Sequence, residues 1–154
     1  MDMENKQITC LEEKNKEDIV YLFYREEDDN WHKTVHKNKG DIDSNVADTF
    51  SEMKDDDTTM YLVKWGDEII GFFGYYEDKT GKALVGFHIG KKFRTKDFMP
   101  LFWEEVKKVF KTTFFIAIFE ENIPAIDHLK RQGCEIINKL EIDLKEYCIL
   151  QLKF

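Results

Sequence analysis

A chain of 154 residues, 42% apolar and 14% aromatic, has the material for one ordinary globular core and argues against a second domain. Its formal net charge of −8 excludes broad attachment to nucleic acid or to anionic lipid, because both need a surface excess of Lys and Arg. Cys10, Cys134 and Cys148 are odd in number, lack metal-ligand spacing and sit in apolar contexts, so buried free thiols in a reducing compartment are expected. Met1 to Lys6 are polar and acidic where a signal peptide would be basic and then apolar. No apolar run approaches the about 20 residues that span a bilayer. The expectation is a cytoplasmic protein with neither nucleic acid nor membrane as partner.

Gln7 to Leu11 predicts a first short strand. Ile19, Val20, Leu22 and Phe23 then follow at helical spacing behind Asn15, the predicted N-cap, and the helix runs out into the charged stretch Arg25 to Asp29. A second helix is predicted over Ser44 to Lys54, with Val46, Phe50 and Met53 on one face. Two constellations here have metal-like spacing. His32 and His36 are four apart, but no third ligand or catalytic Glu accompanies them, and they read as solvated loop histidines. Asp41, Asp43, Asn45 and Glu52 fall at ligand positions of a calcium loop, yet Val46 stands where the sharp turn needs Gly and Asp48 where an apolar residue belongs. A helix capped by Asp43 or Ser44 is expected instead. Asp55 to Asp57 reads as a solvated connector.

From Thr59 the period changes. Met60 to Trp65 and Glu68 to Tyr76 are rich in aromatic and β-branched residues and flank Gly66 and Asp67, a hairpin signal. Gly71 and Gly74 interrupt the second strand, marking a bulge or a close backbone approach. A further turn, Asp78 to Gly81, leads into a strand from Ala83 to Ile89. Next comes a loop with Lys91, Lys92, Arg94 and Lys96, then a helix with Phe98, Leu101, Phe102, Val106, Val109 and Phe110 on one face. Four cations feeding a helix N-terminus offer a seat for a phosphate-bearing ligand. Thr113 to Phe119 predicts a buried strand, parallel to the previous one by a right-handed crossover. Asn122, Pro124 and Gly133 punctuate a helix as N-cap, first turn and terminator. Two strands close the chain, one holding Ile136, Ile142 and Leu144, the other Cys148, Leu150, Leu152 and Phe154.

Asn122, Ala125, Leu129 and Gly133 reproduce the spacing of the Asn-x-x-Ala-x-x-x-Tyr-x-x-x-Gly helix of the GNAT N-acetyltransferases, and the element order resembles that family from Gln7 to Phe154. The resemblance implies an α+β fold: a twisted mixed sheet of six to seven strands with about four helices and a central pair of strands that splays apart. It also implies acetyl-CoA in the splay, its pantetheine on the backbone of the strand holding Phe87 and Ile89. The family's phosphate loop falls on Arg94, Thr95, Lys96, Asp97, Phe98 and Met99, and Asn122 joins these as a cofactor contact. Arg94 matches the family. Asp97 and Met99 stand where small residues are usual, so Asp97 brings a negative charge and, as an N-cap, would occupy the N–H groups itself.

The family's α-helical Tyr, which protonates the leaving thiolate, is here Leu129. On the strand of the usual catalytic Glu only His88 is ionisable, with Lys82 at its edge. His88 is a base near neutrality or an ordinary side chain on a solvent-facing strand. Cys134 and Tyr147 are the remaining catalytic candidates. The implied function is acetyl transfer from acetyl-CoA to a primary amine of a small molecule or peptide, a cationic one suiting the acidic surface. The alternative is a degenerate relative that keeps the fold as a binding module. A homodimer is left open.

Overall fold

The computed structural model describes residues 7–28, 30–32, 42–53, 57–142 and 144–153. Seven strands, β1 (Ile8–Glu13), β2 (Thr58–Trp65), β3 (Glu68–Asp78), β4 (Gly81–Ile89), β5 (Phe114–Phe119), β6 (Glu135–Ile142) and β7 (Lys145–Leu152), form one mixed sheet in the order β1-β2-β3-β4-β5-β7-β6. Four helices of two turns or more accompany it among the described residues: α1 (Lys16–Tyr24), α2 (Ile42–Met53), α3 (Met99–Phe110) and α4 (Ile123–Arg131). The expected α+β class, strand number and helix number all hold.

The sheet has a core on each face. Val20, Phe23 and Tyr24 of α1 and Val46 of α2 pack on Met60, Leu62 and Phe72. Phe102, Trp103, Val106 and Phe110 of α3 and Ile126 and Leu129 of α4 fill the other face with Val63, Phe73, Leu84, Ile89, Phe114 and Leu150. Alternation along each strand sends successive side chains to opposite faces, so β-branched and aromatic runs with no polar interval become strands buried on both sides. Phe87 and Ile89 of β4 therefore join the α3/α4 face, while Val85 and His88 turn to α1 and α2.

Several expectations change. The predicted helix at Ser44 begins at Ile42, which puts Asp43 in its first turn instead of at its cap and makes a calcium loop impossible there. Asn45, offered as a calcium ligand, is fully buried in that helix. His32 is not a solvated loop side chain: it is 2% exposed, its Nε2–H donates to the Tyr24 carbonyl, and Nδ1 accepts from Asn45 Nδ2. Leu144 leaves the strand for a turn, with φ 65° and 92% of its surface exposed. Cys10 is half-buried, whereas Cys134 and Cys148 are buried as expected. Asp29, His36, Asp41, Lys54, Asp55 and Phe154, and the side chains of Asp48, Phe50, Glu52 and Met53, lie outside the described residues.

Candidate active site

The site starts with a flaw in the sheet. β3 and β4 pair from Gly71↔Ile89 to Phe73↔Phe87, then resume at Tyr75↔Leu84, so β4 carries an extra residue at Val85 and Gly86. Gly86 sits at φ 134°, a region that disfavours side chains, and the bulge it permits bends β4. The pairing of β4 with its parallel neighbour β5 registers only at Ala83↔Phe115. Beyond that point β5 pairs with β7 on its other side, Phe119 reaching Tyr147, and the expected splay is present. Gly71 holds the opposite side of β4: a Cβ there would meet the His88 carbonyl at 2.3 Å. This is the close approach anticipated for Gly71, and beside it the register against β2 also shifts, with Ile70 as the extra residue of β3; the bulge of β4 lies across from Gly74.

Past the bulge, β4 presents two histidine environments, one on each face. On the α1/α2 face, His88 is 5% exposed, surrounded by the rings of Phe23, Tyr24, Trp31 and Phe72 at centroid distances of 5.3–5.9 Å. It is therefore not a solvent-facing strand residue. Its Nε2 lies 3.2 Å from Glu27 Oε1, and the Arg94 guanidinium, which donates to the same carboxylate oxygen and to the Ile89 carbonyl (2.9 Å), lies 3.3 Å from Nε2. Nε2 thus meets a donor-only guanidinium and an acceptor-only carboxylate; the carboxylate is the nearer and carries the hydrogen bond, which favours the tautomer with the proton on Nε2 and the free pair on Nδ1. Among the described residues Nδ1 has no hydrogen-bond partner. Burial would raise the Glu27 carboxyl, but hydrogen bonds from His88 and Arg94 and the charge of Arg94 carry it down to about 2. Burial, helped by Arg94 and opposed by Glu27, lowers His88 below its ordinary range. At neutral pH the pair is a carboxylate holding a neutral imidazole with an open nitrogen.

On the α3/α4 face, Phe87 packs its ring 5.1 Å from Trp103 and 5.9 Å from His128. The Trp103 indole Nε1–H donates to His128 Nε2 at 2.8 Å. Burial, with Arg131 and Arg94 nearby, lowers His128 to about 4. Trp103 is buried in the core, although the helical period does not set it on the apolar face, because Leu101, Phe102 and Trp103 are contiguous.

The basic loop becomes a 3-10 turn, Lys91–Phe93, followed by an irregular entry to α3. The N-cap of α3 is Phe98, not Asp97. Phe98 N–H turns to Thr95 Oγ1 (3.4 Å), Met99 N–H donates to the Thr95 carbonyl (3.0 Å), and Pro100 has no N–H to offer. Asp97 is exposed and does not occupy the helix N-terminus. Arg94 is spent on Glu27, and Lys92 pairs with Glu68 at 2.6 Å; Lys91 and Lys96 remain as exposed cations at the loop.

The other candidates scatter. Asn122 is the N-cap of α4, 8% exposed and without a side-chain cap bond. Tyr147 lies on β7, paired with Phe119 at the end of β5, its ring 5.8 Å from that of Phe119. Cys134 is packed in the core by α4, its N–H on the Leu129 carbonyl. Burial outweighs the pull of Lys107, on the last turn of α3, and pushes its thiol up to about 11, so it stays protonated at the end of α3 remote from the basic loop. Glu27 was missed by sequence reasoning. It lies in a charged run whose residues look equally solvated, and its partner Arg94 is 67 positions away.

No protein-family model matches the chain, and no curated protein matches it in sequence. Solved structures do match. The PaiA N-acetyltransferase of Thermoplasma acidophilum, in complex with coenzyme A, is 12% identical over 96% of this chain and 99% of its own, with a TM-score of 0.69. An acetyltransferase of Salmonella typhimurium that modifies the N-terminal serine of a 50S ribosomal subunit protein is 11% identical over 99% and 98%, TM-score 0.66. The microcin self-immunity acetyltransferase MccE, bound to acetyl-CoA and AMP, is 16% identical over 99% and 94%, TM-score 0.61. At these identities the likeness speaks for architecture, and together with the splayed β4 and β5 it is sufficient: the chain has the fold of the GNAT acetyltransferases.

Proposed function

We propose that this protein is an acetyl-CoA-dependent N-acetyltransferase that acetylates a primary amine, with His88 as its general base and Glu27 as the residue that positions His88. The observation that carries this reading is the Glu27–His88 pair at the end of β4, where β4 has parted from β5. Acetyl-CoA would enter the splay with its thioester beside Phe87 and Ile89. The amine would arrive from the α1/α2 face, where Glu26 and Asp28, both exposed, flank Glu27 and favour a cation.

His88 Nδ1 takes a proton from the amine, whose nitrogen attacks the thioester carbonyl carbon. A strand N–H near Ile89 holds the oxyanion, the C–S bond breaks, and the thiolate leaves with the bond's electron pair. The lowered pKa of His88 serves this role by keeping Nδ1 unprotonated at neutral pH. The phosphate end is the weaker part of the fit. Lys91 and Lys96 are the cations that would face a pyrophosphate; the first N–H groups of α3 are taken by Thr95 or missing at Pro100, and Asp97 opposes by charge.

The test is calorimetric binding of acetyl-CoA together with thiol release in the presence of primary amines, with His88→Ala and Asp97→Gly variants alongside. Binding and amine-dependent thiol release that His88→Ala abolishes would support the enzyme. No binding by the parent but binding by Asp97→Gly would mean a closed cofactor site, and the fold would then serve as a binding module.

A further inference from the structure

We infer that His128 is a second catalytic histidine, a hydrogen-bond donor to the thioester sulfur; this rests on the acetyltransferase reading above. An indole N–H can only donate, so the 2.8 Å bond from Trp103 Nε1 fixes His128 Nε2 as an acceptor. An imidazolium has no acceptor nitrogen, so the bond requires the neutral ring, and the neutral ring then carries its proton on Nδ1. His128 is 7% exposed. Among the described residues its Nδ1 makes no hydrogen bond, and it is absent from the sealed atoms that lack one. An N–H donor with a fixed tautomer therefore lies beside Phe87, on the face of β4 opposite His88, where β4 has parted from β5.

The placement divides the labour of one reaction between two faces of β4. His88 keeps a free lone pair and takes the amine proton; His128 keeps an N–H and stabilises the charge that develops on sulfur as the C–S bond breaks. The His128 proton stays on Nδ1, because a neutral imidazole is too weak an acid to give it up to a thiolate. The sulfur regains its proton from the one released by the amine, by way of His88 and solvent. Leu129, where the resemblance leads one to look for a donor, is fully buried in the core, and its neighbour His128 supplies the polar group.

Two substitutions separate this role from a structural one. His128→Gln carries its amide oxygen to the place of Nε2, keeping the acceptor for Trp103 while losing the donor at Nδ1. His128→Asn puts an amide N–H near the place of Nδ1 and loses the acceptor. Thiol release from acetyl-CoA is followed with spermidine, lysinamide and a short peptide with a free amino terminus as acceptors, and melting temperature is measured in parallel. A donor to sulfur predicts that His128→Gln melts close to the parent yet loses about 30-fold or more in kcat, while His128→Asn melts lower and keeps the larger share of kcat. A purely structural residue gives the opposite order, and parental kcat in His128→Gln would overturn the inference while leaving the acetyltransferase reading intact. No thiol release by the parent with any acceptor would remove that reading and this inference with it.

Discussion

The two faces of β4 handle the same side chain in opposite ways. His88 is held by an acidic partner and a guanidinium from remote parts of the chain, Glu27 at the end of α1 and Arg94 in the loop before α3. His128 is held by one neutral bond from Trp103 and by ring packing. Both are buried and both are neutral near pH 7, but the carboxylate makes Nε2 of His88 a donor and the indole makes Nε2 of His128 an acceptor. A base and a donor thus arise from one residue type because the partner fixes the tautomer. The charged face should be the more costly to disturb, since removing one member of a buried ionic group strands the others.

The largest effect is expected from His88→Ala. Losing a positioned base lowers kcat by about 10²–10⁴-fold, read as amine-dependent thiol release, while acetyl-CoA affinity changes little. Gly71→Ala comes next. Its Cβ would lie 2.3 Å from the His88 carbonyl, so β4 must move, and a loss of about 3 kcal/mol in urea unfolding is expected, with kcat falling alongside.

Arg94→Ala should act on stability before it acts on the cofactor. It removes the brace between Glu27, His88 and the Ile89 carbonyl, and with Arg94 one-third exposed the cost is about 1–2 kcal/mol. A large loss of acetyl-CoA affinity at unchanged melting temperature would instead mark Arg94 as a phosphate ligand.

Acid should weaken the two faces in two stages, the histidines of both first and Glu27 later. A histidine with a depressed folded-state pKa binds fewer protons folded than unfolded, so its contribution is present near neutrality and is lost as pH falls from about 6.5. For His128 that window ends near pH 4, a loss on the order of 2–3 kcal/mol. Glu27 contributes above its unfolded value and is lost only as pH falls from the ordinary carboxylate range toward 2. Melting curves from pH 7 to 4 should therefore decline in the parent and decline less steeply in His128→Gln, where His88 still contributes.

These asymmetries mark where the sequence could be read and where it could not. The hairpin at Gly66 and Asp67, the strand from Phe114 and the helix from Asn122 to Gly133 were legible because turn chemistry, apolar runs and caps act over a few residues. The splay followed from resemblance, not from any local signal. Glu27 and His32 were illegible for the same reason: each sits in a polar stretch, and its burial is decided by residues far along the chain, Arg94 and His88 for one and Asn45 for the other. Asp97 was misjudged because a good N-cap residue stands one position before the actual N-cap, Phe98, and the backbone there turns to Thr95.

The most direct test of the account is the pH profile of kcat/KM for the parent and for Glu27→Gln. If Glu27 holds His88 as a base, the parent loses activity on acidification along a limb below pH 6.5. Glu27→Gln should then show a lower plateau and a limb moved to still lower pH, because the charge that favours imidazolium is gone. A flat profile in the parent, or identical limbs and plateaus in both proteins, would contradict the claim that this pair performs the proton transfer.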